Sequence, residues 1–68
     1  MRVEGVVTHF DGAQGFGWLT TDGGDAYFFH CVSIADGSRV IPTGVRAAGE
    51  RVVGLRGRDE VTAVYALG

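Results

Sequence analysis

Nowhere in this 68-residue chain do apolar residues recur at i, i+3, i+4 and i+7 over three turns, so no substantial helix is expected. What the chain offers instead are short runs rich in β-branched and aromatic residues, cut by glycine-bearing turns. Arg2 to Phe10 reads as a first strand, and Asp11-Gly12-Ala13 as a turn, because Asp and Gly start and close tight turns. Gln14 to Thr20 follows as a second strand and forms an antiparallel hairpin with the first. Thr21-Asp22-Gly23-Gly24-Asp25 contains an Asp-Gly-Gly signal for another hairpin, with Ala26 to Val32 as the third strand. Ala35 to Ala48 keeps neither period and is expected to be a long surface loop, with a short strand near Arg39–Ile41. Glu50 to Leu55 is the fourth strand, Gly57–Glu60 a turn, and Val61 to Leu67 the fifth. Five short strands in one small domain spanning residues 1–68, the first three as a meander, predict an all-β fold closed into a barrel. Closure removes the edges that a glycine-rich sheet would otherwise expose.

Alternation along a strand sends successive side chains to opposite faces. On that basis Val6, Leu19, Tyr27, Phe29, Ile34, Val52 and Val64 are the expected core, and Phe16, Trp18, Phe28 and His30 point outward. Gly15 and Gly17 thin the strand that carries Phe16 and Trp18, leaving its far face without competing side chains. Aromatic residues also dominate small cores, so the outward assignment rests on the alternation. If the second and third strands pair, Phe16, Trp18, Phe28 and His30 share one face, with Phe10 at the end of the first strand beside them. A contiguous aromatic patch on a chain of this size marks a binding surface. Flat rings suit the bases of a single strand, each stacked base contributing roughly 1–3 kcal/mol with little sequence discrimination.

The bulk chemistry narrows the alternatives. Hydrophobic residues make up 46% and charged residues 21%, which fits a globular chain and argues against disorder. The net charge is −2, and all six basic residues are arginine, whose planar fork both grips phosphate and stacks on bases. Cys31 stands alone, so neither a disulfide framework nor a cysteine zinc cluster is available. His9, His30 and Cys31 lack a fourth ligand, and no metal or other cofactor is expected. No set of residues resembles a catalytic triad or a carboxylate pair, so the chain is not expected to be an enzyme or to have a small-molecule substrate. No apolar run approaches the ~20 residues of a membrane span and no signal-like segment opens the chain, so a cytoplasmic location away from membranes is expected.

Two segments carry a family resemblance, Gln14-Gly15-Phe16-Gly17-Trp18-Leu19 and Tyr27-Phe28-Phe29-His30-Cys31. They resemble the paired ribonucleoprotein motifs of cold-shock domains, which run close to K-G-F-G-F-I and V-F-V-H-F. The opening Gly5-Val6-Val7-Thr8-His9-Phe10-Asp11 is similar to the family's G-x-V-K-W-F-N, and Gly49-Glu50-Arg51-Val52 to the glycine before its fourth strand. The resemblance spans nearly the whole chain. It implies a five-stranded antiparallel OB-fold-like barrel that binds single-stranded RNA or DNA through Phe10, Phe16, Trp18, Phe28, His30 and His9. It further implies an RNA chaperone or cold-shock-type regulator acting in a stress response, expected as a monomer rather than a dimer. The departures are specific. Thr8 and Gln14 stand where the family has lysines, His9 replaces a tryptophan, Cys31 replaces a phenylalanine, and the loop after Ile34 is longer. Retained stacking with weaker affinity and a shallow salt dependence is the expectation. The alternative is a diverged barrel whose aromatic face binds a protein partner or self-associates.

Overall fold

A computed structural model describes residues 1–54 and 58–67. Its strands are β1 (Arg2–Asp11), β2 (Phe16–Thr21), β3 (Ala26–His30), β4 (Arg46–Val53) and β5 (Asp59–Ala66), with a 3-10 turn at Cys31–Ser33 after β3. They close into a barrel in the order β1-β2-β3-β5-β4. The pairs β1–β2, β1–β4, β2–β3 and β4–β5 are antiparallel. The last seam, β3 to β5, is parallel and consists of the pair Phe28–Glu60. An isolated bridge between Ile34 and Val64 continues it.

Both hairpins are built as their turn residues dictate. Asp11 Oδ1 accepts from the amides of Ala13 and Gln14 at 3.0 and 3.1 Å, and the Asp11 carbonyl accepts from Gly15 N–H at 2.8 Å. Gly15 has φ +77°, so Gln14 and Gly15 belong to the turn and not to the second strand as expected. In the second hairpin Thr21 N–H donates to the Asp25 carbonyl at 2.8 Å and Asp25 N–H to Thr21 Oγ1 at 3.2 Å.

Leu19, Phe29, Val7, Val61 and Val64 are fully buried, joined in the core by Val3, Tyr27, Ile34, Ile41 and Ala47. Each large aliphatic or aromatic side chain so placed contributes about 1.5–3 kcal/mol relative to exposure. Two expected core residues are not there. Val6 is only half-buried, because Val3, Gly5 and Val7 take the inward positions of β1, and a shift of one residue exchanges the faces. Val52 is 39% exposed, because it pairs with Glu60 on the outward face while its neighbours Arg51 and Val61 pair on the other.

The second half of the chain departs from expectation in its boundaries. β4 begins at Arg46, so residues 46–48 are strand rather than loop, and Arg39–Ile41 forms no strand. Cys31 and Val32 turn away as 3-10 instead of extending β3, and Asp59 and Glu60 open β5 instead of closing a turn. Leu55 and Gly57, placed at the end of the fourth strand and the start of the turn after it, lie outside the described residues.

Two bulges bend the barrel. On β1, Val7 pairs with Leu19 but His9 pairs with Trp18, which leaves Thr8 as the extra residue. On β5, Ala63 and Val64 together span the step that Gly49 alone makes on β4, and Ala63 sits in the left-handed region with φ 53°. That conformation costs a non-glycine residue roughly 1–2 kcal/mol. Ala63→Gly is therefore expected to stabilise the fold by up to about 1 kcal/mol once glycine's greater unfolded-state freedom is deducted. In a thermal melt this appears as a Tm rise of up to about 8 °C. An unchanged or lower Tm would contradict a left-handed backbone at this position.

Candidate nucleic-acid interface

The β2–β3 pairing sets Phe16 opposite His30 and Trp18 opposite Phe28, and the β1–β2 pairing sets His9 opposite Trp18. All five side chains therefore emerge on one outer face. Their rings meet. Phe16 and Phe28 lie nearly parallel, 22° apart with centroids at 5.6 Å, as diagonal cross-strand neighbours. Trp18 and His30 present to Phe28 at steep angles, at 5.3 and 4.8 Å, and His9 tilts against Phe16 at 5.9 Å. Phe28 is the hub of the cluster. None of these rings joins the interior core cluster, although Phe28 is itself buried.

His9 reaches this face through the β1 bulge. Were Thr8 an ordinary rung of the ladder, alternation from inward Val7 would turn His9 inward and Phe10 outward. The bulge reverses them: Phe10 pairs with Gly17 and stacks on core Phe29, at 6.1 Å and 13° between planes. Phe10 was expected beside the patch, and the structure packs it against the core instead. Gly17 is needed for that packing. A Cβ there would lie 2.6 Å from the His9 carbonyl oxygen and 2.8 Å from the Phe29 ring. The far face of the glycine-thinned strand is thus filled by rings from two other strands, not left open as the sequence suggested.

Phe28 faces outward as expected but is only 7% exposed, which the expectation of an open ring did not foresee. Its cover is Arg58, whose guanidinium carbon stands 4.0 Å from the ring centroid. No local pattern points to Arg58. It arrives over the patch because β5 joins β3, a long-range closure that side-chain alternation within one strand does not encode.

Three other arginines are already paired with carboxylates. Arg2 is bonded to Glu4 at 2.9 Å, Arg46 contacts Asp22 at 3.3 Å and Glu4 at 3.5 Å, and Arg51 holds Asp59 at 2.8 Å. Asp22 first, then Glu4, hold the Arg46 guanidinium pKa above its ordinary value. Exposed pairs of this kind are each worth about 0–1 kcal/mol, and every one of them occupies an arginine otherwise available to a phosphate. Arg56 lies outside the described residues. Cys31 packs its sulfur toward Gly15 and adds no ring to the cluster. Among the described residues no group of three or more His, Cys, Asp or Glu side chains is placed to hold a metal ion.

The arrangement is a shelf of flat rings with two histidines at its margins and one arginine over its centre. A small five-stranded all-β barrel with such a cluster is compatible with a cold-shock or OB-fold domain. Set beside known proteins, the chain matches no family model and no curated sequence.

Proposed function

We infer that this protein is a cold-shock-like module that binds single-stranded nucleic acid, RNA or DNA, by stacking unpaired bases on Phe16, Trp18 and Phe28, with His9 and His30 at the rim. The observation that carries this is the contiguity of those rings apart from the interior core cluster, with Phe16 and Phe28 nearly parallel. Stacking accepts every base, so a sequence-tolerant binder of unstructured strands follows, in keeping with a chaperone that holds weakly paired RNA open.

Trp18, the only tryptophan, is the probe. Its emission is expected to change on titration with oligo-dT or oligo-U at low salt, and no response at an excess of either strand would reject this function. With Arg2, Arg46 and Arg51 already facing carboxylates, one or two phosphate contacts are expected. The log–log salt slope is then about −0.7 to −1.4, and one steeper than about −4 would contradict the charge distribution. A second use of the molecule, contact with a protein or with another copy, is favoured by Val53, 75% exposed beside the outward Val52. Sedimentation at working concentration separates the two. A concentration-dependent dimer with no oligonucleotide response favours the second.

A further inference from the structure

The ring at the centre of the shelf is the one ring that free solvent hardly reaches. Phe28 meets the rings of Phe16, Trp18 and His30, and the Arg58 guanidinium roofs it at 4.0 Å, about the height at which a flat group stacks on an aromatic ring. The roof is held from two sides. Gly54 N–H donates to the Arg58 carbonyl at 2.9 Å, fixing its backbone across the β4–β5 connection. Glu60, the β5 residue paired with Phe28, sets Oε2 3.7 Å from Arg58 Nε, and its side chain is only 19% exposed. The Arg58 side chain itself is 44% exposed, so water already reaches its other side.

We propose that Arg58 is a displaceable cap, an internal occupant of the Phe28 stacking position that an incoming base must replace. The inference rests on the stacking function and adds the order of events at its central subsite. In the free protein the guanidinium stacks on Phe28 and leans on Glu60. When a base takes the ring, Arg58 swings off, gives up Glu60 and turns its charge to the phosphate of that nucleotide. One side chain thus opposes binding through the ring and favours it through the charge. Salt separates the two effects, because it screens the second and leaves the first.

The test compares wild type with Arg58→Ala, using oligo-dT and Trp18 emission across a range of salt. At low salt the variant is expected to bind more weakly, and its salt slope to be shallower by about 0.7, the loss of one phosphate contact on a single strand. In about 1 M salt, where the screening length is about 3 Å, the variant is expected to bind more tightly by about fivefold, the worth of the cation–π contact released. The two affinity curves therefore cross. A variant weaker at every salt concentration overturns the cap and makes Arg58 a plain contact or part of the platform. A second readout needs no variant. In the wild-type protein the ring current of Phe28 shifts the Arg58 side-chain protons upfield, and saturating oligo-dT is expected to return them toward ordinary arginine values. Shifts that stay put on saturation likewise reject displacement. Emission that is silent in both proteins defeats the stacking function itself and the cap with it, an outcome distinct from binding without crossing.

Discussion

Phe16→Ala is expected to weaken binding of a pyrimidine oligonucleotide by about 5- to 150-fold, the equivalent of the 1–3 kcal/mol that one stacked base contributes. Phe16 is the ring to remove because its role in the fold is small. It is half-buried, lies outside the core cluster, and meets the rings of Phe28 and His9. Those contacts are worth about 0.5–1.5 kcal/mol beyond burial, so the folded state should survive the change. Phe28→Ala is less informative, since that ring is buried and its loss would disturb fold and site together. The measurement is a Trp18 emission titration alongside a thermal melt of the same sample. A variant that melts as a folded protein and binds like wild type would show that no base rests on this ring.

Gly17→Ala is expected to carry a large cost to stability. The added methyl meets the His9 carbonyl oxygen at 2.6 Å, the Phe29 ring at 2.8 Å and the Phe10 ring at 3.0 Å. A backbone oxygen held in the β1–β2 ladder and a fully buried ring cannot both step aside without disturbing the bulge and the core. Overpacking of this kind costs about 1–3 kcal/mol. Small domains bury a lesser fraction of their surface than large ones, so that is a sizeable part of the total. Tm should fall by roughly 4 to 24 °C. Gly12→Ala is the control, because its added carbon meets only Phe10, at an ordinary 3.7 Å. If the two variants melt together, the inner face of β2 is not packed as described.

The sequence carried the parts that local chemistry controls. Asp-Gly turns announced both hairpins, and period-two alternation around Leu19, Tyr27 and Phe29 assigned the two faces of β2 and β3. It failed where the period is interrupted. Thr8 is an inserted residue that looks like any other strand residue, yet it decides that His9 and not Phe10 turns outward. The start of β4 was hidden because Ala47, Ala48 and Gly49 have little strand preference. In the barrel they are buried small residues, and a side chain on Gly49 would collide with Val61 and the Thr62 carbonyl oxygen. Arg58 and the covering of Phe28 depend on β3 meeting β5, residues far apart in the chain, for which no nearby residue leaves a mark.

That meeting of β3 and β5 has a mechanical corollary. The hoop of strands is stitched along its other joins by several rungs each, but here by the single rung Phe28–Glu60 and the bridge Ile34–Val64. The loosest join therefore runs beneath the hub of the aromatic shelf, with Phe28 on one bank and Arg58 near the other. Anything that grips both banks acts as a suture, so occupancy of the shelf and resistance of the whole hoop to opening rise and fall together.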